Sequence, residues 1–256
     1  YSVYVTDPRD EGYTVALAER LQQDAEDLDL APYERLHFIA AFVQHLAYTY
    51  DIDSTGFDDY PRYPLETLVD EGGDCEDTSI LLAEILYNLG YDVVLLRLPA
   101  HVAVGVAADE KFCGTYYEQH GTRYFYLEST GEAGRIGLVP EEYATDLAYL
   151  YHIVPVPVID HSWEVAVEDS SYHLEVLVEN PGTAPSEEMH VLAGFDAGEG
   201  SLWNASRSRA FTLGPGESDS VHVELERPRG QHTRLMVYVI EGERSVDSSH
   251  SKWFDT

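Results

Sequence analysis

Hydrophobic positions in the first 150 residues follow a helical period and then a strand period. Residues 11–30 and 33–48 carry apolar stripes at helical spacing: Leu17, Leu21 and Leu28, then Leu36, Phe38, Ile39, Phe42, Val43 and Leu46. An acidic loop, Asp51 to Asp59, follows them. The strongest helix is expected at 75–89, where Leu81, Leu82, Ile85, Leu86 and Leu89 make one wide apolar face. Asp74 can cap its start, Glu76 and Asp77 put acids in its first turn, and Gly90 sits just past its end. Strands are predicted at 93–98, 102–108 and 123–128. Helices followed by a run of strands make an α+β arrangement.

The pattern changes near residue 155. The segment from His152 to Ile159 is an extended apolar run interrupted by Pro155 and Pro157, which suits an edge or a linker. Beyond it the chain reads as all-β, with strands expected near 162–168, 172–179, 189–196, 207–213, 218–226, 233–241 and 246–254. Turn residues separate them, among them Asn180-Pro-Gly182, Gly214-Pro-Gly216 and Pro228-Arg-Gly230. Strands at this spacing predict an immunoglobulin-like β-sandwich. The expected division is therefore an α+β domain at 1–154 and a β-sandwich at 155–256.

Charge changes the picture most. Asp+Glu is 47 against 15 Lys+Arg, a formal net charge of −32, and Lys111 and Lys252 are the two lysines. A nucleic-acid binder needs a basic footprint, so that class is excluded, and an anionic membrane surface would repel the chain. No apolar run approaches the roughly 18 residues needed to span a bilayer. The chain begins at Tyr1 with no leader-like segment, so any signal peptide or anchor is expected outside it. Self-repulsion on this scale strains a compact fold at ordinary salt, whereas at about 1 M salt the screening length falls to roughly 3 Å. The acids are spread along the whole chain, which points to adaptation to molar salt.

Two cysteines, Cys75 and Cys113, are too few for a disulfide framework; one disulfide, or one reactive and one passive thiol, both fit. Neither has the neighbours of a zinc site, and no metal or cofactor is expected. Gly72-Gly-Asp-Cys-Glu-Asp77 places Cys75 at the start of the apolar-faced helix. A helix N-terminus favours a thiolate and offers backbone N–H groups to an oxyanion. The Gly-Gly lead-in is read as flexible, giving a substrate backbone room to approach. Glu76 and Asp77 oppose a thiolate unless they point away or are neutralised. A cysteine nucleophile also needs a histidine and an orienting group. His101 opens the strand His101-Val-Ala-Val-Gly-Val106, and Glu128 closes Tyr124-Phe-Tyr-Leu-Glu128, so neighbouring strands would set them side by side. The plainer alternatives are a small buried thiol, a structural histidine and a solvated acid.

The stretch YPRYPLETLVDEGGDCEDTSILLAEILYNLGYDVVLLRLPAHVAVGV, followed by YFYLESTGEAGRIG, resembles the transglutaminase-like superfamily of papain-type folds, nearest its acidic archaeal members. The resemblance covers about residues 33–145. It implies a cysteine-dependent amide acyl transfer with Cys75, His101 and Glu128 as the triad, acting on a protein or peptide. The family's third residue is usually Asp, so the extra methylene of Glu128 must be absorbed by the backbone. A second oxyanion donor is expected upstream. Gln44 is the candidate, with His45 a weaker rival, and Asp74 supports the helix start. Water as acceptor makes a peptidase or amidase and an amine makes a transglutaminase. Hydrolysis is favoured because water is always present. The rival class is a non-catalytic binding or cell-surface module. The sandwich resembles the adhesion and spacer modules of exported proteins, which implies an extracellular or cell-surface location.

Two weaker motifs remain. Asp51-Ile-Asp-Ser-Thr-Gly56 resembles the start of a calcium loop, but Arg62 stands where an EF-hand needs Glu, leaving Asp58 and Asp59 as substitutes. A solvated acidic loop is the favoured reading. Asn204-Ala-Ser206 fits a glycosylation sequon, a pattern common by chance. The charge reading predicts that the melting temperature rises between about 0.1 M and about 2 M KCl as repulsion is screened. A melting temperature flat across that range would contradict it.

Overall fold

The computed structural model describes the chain except residues 58–59, 109–111, 132–133 and 169 and the side chain of residue 10. The expected calcium substitutes Asp58 and Asp59 lie outside the described residues. The chain divides into two compact units, Tyr1–Val154 and Pro155–Thr256. The described residues are mixed α/β, with six α-helices among them and mostly antiparallel sheets.

The elements of the first unit run α1 (Ser2–Val5), α2 (Pro8–Asp27), α3 (Pro32–Gln44), β1 (Ala47–Tyr48), α4 (Asp51–Ser54), α5 (Pro64–Val69), β2 (Gly72–Gly73) and α6 (Cys75–Asn88). Then come β3 (Val93–Leu98), β4 (His101–Ala107), β5 (Tyr116–Gln119), β6 (Thr122–Leu127) and β7 (Tyr149–His152). Five strands form one sheet in the order β5-β6-β4-β3-β7, every pair antiparallel. α2 starts three residues before the expected 11 because Asp7 caps it and Pro8 takes its first position. α3 stops at Gln44 rather than 48, because Ala47 and Tyr48 pair with Gly72 and Gly73 in a short parallel ladder.

Helix α6 is the centre of this unit. The expectation was one apolar face, yet every residue from Asp77 to Leu86 is buried. Its leucines and isoleucines pack with Val93, Leu95, Val102, Val104, Val106, Phe125 and Leu127 on one face of the sheet and with Leu36, Ile39 and Val43 of α3. Burial on all sides forces its polar residues to find partners. Ser79 Oγ donates to the Val102 carbonyl at 3.0 Å, and Thr78 and Ser79 both meet Ser129 Oγ, at 3.0 and 2.8 Å. Thr14 of α2 hydrogen-bonds buried Glu84. The opposite face of the sheet carries a second cluster, Val94, Leu96, Leu98, Ala103, Tyr124 and Tyr126, against which Tyr143, Ala148 and Leu150 pack.

The second unit holds β8 (Asp160–Glu168), β9 (Ser171–Glu179), β10 (Met189–Gly198), β11 (Ser201–Arg207), β12 (Ser218–Glu226), β13 (His232–Thr233), β14 (Leu235–Glu241), β15 (Arg244–His250) and β16 (Phe254–Asp255). Its main sheets are β12-β9-β8 and β11-β10-β14-β15. Alternate residues of β9 and β12 share a core with alternate residues of β10 and β14, which makes a β-sandwich. The strand expected at 207–213 lies instead at Ser201–Arg207, because Gly198 and Gly200 adopt positive φ and turn β10 tightly back on itself. His161 bridges Asp247 and Ser249 across the sandwich edge, and Trp163 Nε1 donates to the same Ser249 Oγ at 2.8 Å, forming a polar clasp between β8 and β15.

Asn180 is fully buried and acts as a junction in this unit. Its Nδ2 donates to the carbonyls of Ala184, Leu213 and Gly214, and its Oδ1 accepts from the Val158 and Gly182 N–H groups. Asn180→Ala leaves several buried backbone groups unpaired. It is expected to cost about 3 kcal/mol in the unfolding transition of this unit. Chemical denaturation checks this, and a loss below about 0.5 kcal/mol would contradict the junction role.

Candidate active site

The N-terminus of α6 is built by its own cap. Asp74 Oδ1 accepts from the N–H groups of Glu76 at 2.8 Å and Asp77 at 3.2 Å, and Asp77 Oδ2 accepts from Asp74 N–H at 3.2 Å. The cap takes those N–H groups and leaves the N–H of Cys75, at the first helical position, outside it. Cys75 is partly exposed, Cys113 is exposed, and both are free, so the disulfide alternative is set aside.

Gly72 and Gly73 are corrected from a flexible lead-in to a packed strand. Both are buried. A Cβ on Gly72 would meet the Ala47 carbonyl oxygen at 2.6 Å, and one on Gly73 would meet the Asp77 side chain at 2.5 Å. Glycine is required here because the β1–β2 ladder and the Asp77 carboxylate press on the backbone.

The two acids after Cys75 are engaged. Asp77 is fully buried and accepts from Arg62 twice, from its backbone N–H at 2.8 Å and from its guanidinium. That guanidinium also contacts Asp51 at 3.1 Å, Asp70 at 3.4 Å and Ser54 Oγ. The remaining Asp51 oxygen accepts from Tyr60 N–H at 2.8 Å. Asp51 is thus buried and paired with an internal cation, an exception in a segment whose residues 52–54, 56 and 57 are exposed, as a solvated loop requires. Among the described residues no group of three or more His, Cys, Asp or Glu is arranged to hold a metal ion. Glu76 lies near the Tyr1 hydroxyl and helps to raise it.

His101 begins β4 directly after the two-residue turn Pro99–Ala100, in which Ala100 holds φ at +54°. The β4–β6 register pairs Val104 with Leu127, which puts Glu128 opposite Ala103 and one step diagonally from His101 on the same face. The longer Glu side chain spans that diagonal. His101 Nε2 lies 3.1 Å from Glu128 Oε2. Glu128 Oε1 accepts from Ser129 N–H, Thr130 N–H and Thr130 Oγ1 at 3.0, 3.0 and 2.8 Å, and the Tyr126 hydroxyl donates to Oε2. The ring of Tyr143, in a short 3-10 turn (Glu141–Tyr143), stacks on His101 at 4.8 Å and 2°.

Burial of His101 works against its charge, but hydrogen bonds to Cys75 and Glu128 outweigh it and raise the imidazole from 6.5 to about 9. Burial also opposes the Glu128 charge. Hydrogen bonding from His101, helped by Tyr126 and Thr130, prevails and holds Glu128 down at about 2. The imidazolium therefore contributes stability in full below pH 6.5, lost as pH rises through about 9. The carboxylate contributes in full above pH 4.5, lost as pH falls through about 2. Nε2 meets Glu128 and the Tyr126 hydroxyl at 3.4 Å, so Nδ1 is the ring nitrogen they leave.

Gln44 is brought to this site in another role. Its Nε2 donates to the carbonyls of Glu128 at 2.8 Å and Gly134 at 3.1 Å, so both amide protons are used. The expected oxyanion donor is therefore a tether for the segment that carries Glu128. His45 Nδ1 turns back to the Ala41 carbonyl at 2.6 Å. Tyr48 pairs with Gly73 across β1–β2, and burial, with the nearby Cys75 and Asp74, pushes its hydroxyl up to about 12. Tyr48, Tyr126 and Tyr143 were missed in the sequence. Their one available signal was the parity of Tyr126 with Glu128, two residues apart on one strand.

No family model matches the chain, and no curated protein matches it. Among solved structures it is similar to LapG of Legionella pneumophila, at 18% identity and TM-score 0.31 over 53% of this chain and 81% of that one. A CARDB domain of the PF1109 protein from Pyrococcus furiosus gives 16% identity and TM-score 0.27 over 38% of this chain and 88% of that one. A β-glucosidase from Kluyveromyces marxianus gives 17% identity and TM-score 0.27 over 43% of this chain, which spans 15% of that enzyme's length. Similarities at these scores assign no activity.

The geometry predicts that His101 is an imidazolium at pH 7. Its ring nitrogen shifts in 15N NMR should move to the neutral form only as pH approaches about 9. A neutral ring at pH 7 would contradict the arrangement.

Proposed function

We propose that the first unit is a cysteine-dependent enzyme of amide acyl transfer, acting on a protein or peptide and, in its main reaction, hydrolysing it. The observation that carries this reading is the His101 imidazole held by the Glu128 carboxylate, with Cys75 at a helix N-terminus near enough to help raise the imidazole. His101 is the protonated partner at rest. Cys75 Sγ attacks the amide carbon, and the carbonyl π electrons pass to oxygen. The Cys75 N–H and the Tyr48 hydroxyl are the proposed oxyanion donors. As the oxyanion collapses, the C–N bond breaks and the amine leaves with the proton from His101, forming a thioester. His101, now neutral, takes a proton from water, whose oxygen attacks the thioester carbonyl and expels the thiolate. An amine in place of water gives transamidation through the same residues.

Glu128 keeps the imidazole oriented and charged but bonds to nothing in the substrate. Gln44 and Tyr126 fix Glu128, and Tyr143 fixes the ring. The β-sandwich is assigned no chemistry and is proposed to space or present the catalytic unit, with an extracellular or cell-surface setting as part of the same proposal.

Cys75→Ala is expected to abolish peptide hydrolysis. Glu128→Ala should leave a residue of activity, reduced about 10²–10⁴-fold, because orientation is lost and the nucleophile is kept. Glu128→Asp retains the charge but falls short along the diagonal, so its activity should lie between that of Glu128→Ala and that of the unsubstituted chain. Tyr48→Phe should lower kcat about 10²-fold with KM little changed. Steady-state kinetics on a peptide mixture, read by mass spectrometry, checks these. Full activity in Cys75→Ala would overturn the proposal, and full activity in Glu128→Ala would remove Glu128 from it.

A further inference from the structure

An open groove of about 480 Å³ lies at the His101 end of the five-stranded sheet. Arg97, Leu98, Pro99, Leu147, Tyr149 and Tyr151 line it. Its volume falls in the range of small-ligand sites. Pro99 belongs to the turn that delivers His101, so the groove and the imidazole share one piece of backbone. The strand register gives its orientation. Arg97 pairs with Tyr149 and Leu95 with Tyr151, so Arg97, Tyr149 and Tyr151 project on the face of Val93 and Leu95, the face that carries α6. A chain of contacts ties the groove to the start of that helix. Arg97 interacts with the Tyr151 hydroxyl, the Tyr151 ring meets Tyr1 edge-on at 5.1 Å, and the Tyr1 hydroxyl lies near Glu76, the residue after Cys75, whose charge raises it.

The lining has an unusual composition for this protein. Leu147 is 89% exposed and Tyr149 is 76% exposed, so a large apolar surface faces water at the His101 end of the sheet. Arg97 is the one charged residue of the lining, in a chain whose formal net charge is −32. An arginine fork at the edge of an aromatic surface matches a carboxylate next to an apolar side chain.

We propose that this groove is a substrate subsite that receives an aromatic or large aliphatic side chain, with Arg97 binding a carboxylate on the adjacent residue. The proposal rests on the catalytic reading above for the meaning of "substrate", but not for the binding itself. It makes the preferred peptide apolar and acidic at neighbouring positions near the amide that reacts. Tyr149 and Leu147 supply the apolar contact. Arg97 gives the local attraction that the rest of the acidic surface denies to an anion.

The test uses the full chain carrying Cys75→Ala, which binds without turnover, and four short acetylated peptide amides that pair Phe or Ala with Glu or Gln. Isothermal titration is expected to show the Phe-Glu peptide binding at least about tenfold more tightly than either Phe-Gln or Ala-Glu. Adding Arg97→Gln should erase the Glu-over-Gln preference, and adding Tyr149→Ala should erase the Phe-over-Ala preference. Both residues are exposed, so neither change should disturb folding, and circular dichroism verifies this. Equal binding of the four peptides, or preferences that survive both substitutions, would overturn the proposal. Turnover of the same peptides by the unsubstituted chain separates the two ideas. Selective binding without turnover sinks the catalytic reading and leaves the subsite, and turnover without selectivity does the reverse.

Discussion

The hydrogen bond between His101 and Glu128 is the constraint on which the first unit's site depends. A largely buried imidazole resists charge, and a largely buried carboxylate resists it as strongly. Each is charged only because the other is, and because Glu128 also receives the Tyr126 hydroxyl, two backbone N–H groups and the Thr130 hydroxyl. Those donors come from β6 and the turn after it, while His101 comes from the start of β4. The antiparallel ladder between those strands therefore sets the geometry of the pair. Gln44 locks the same turn from α3 through the carbonyls of Glu128 and Gly134. A Cβ on Gly134 would sit 2.7 Å from both Gln44 Nε2 and the Glu128 Cβ, so glycine there is a condition of the lock.

A second buried charge works behind the nucleophile. Arg62 is 1% exposed and gathers Asp51, Asp70 and Asp77 around one guanidinium. Removing one member of such a cluster is costly because it strands buried charges. The consequence for chemistry is local. The fully buried carboxylate two residues beyond Cys75 is directed inward to Arg62, away from the sulfur, and Glu76 is drawn to Tyr1. An acid-rich sequence can thus carry a nucleophile at a helix start without placing its neighbouring carboxylates on the thiol.

Local signals in the chain made part of this legible. The Asp74 cap, the apolar run of α6 and Gly90 are short-range features, and α6 spans Cys75–Asn88 where 75–89 was expected. The closeness of His101 and Glu128 followed from two strands, one opening with His and the other ending in Glu. What stayed hidden depends on long-range pairing. Nothing near Gly72 and Gly73 announces the β1 ladder that buries them, and a Gly-Gly pair reads as flexible until its neighbour is known. Gln44 carries the right donor for an oxyanion, but its protons go to carbonyls 84 and 90 residues away in sequence. The edge strands β5 and β7 are four residues each and alternate exposed with half-buried positions, too weak a pattern to separate from loop. In the second unit, the two glycines of the β10–β11 turn shifted a strand by about six residues from where its hydrophobic run suggested.

The central claim is that His101 keeps Cys75 reactive. Cys113 provides an internal control, since it is a free, exposed thiol in the same chain. Alkylation by iodoacetamide at pH 6, followed site by site by mass spectrometry in the full chain and in His101→Gln, tests the claim most directly. Cys75 should be alkylated at least about tenfold faster in the full chain than in His101→Gln, while Cys113 reacts at one slow rate in both. Equal Cys75 rates in the two proteins, with the fold intact, would contradict the account.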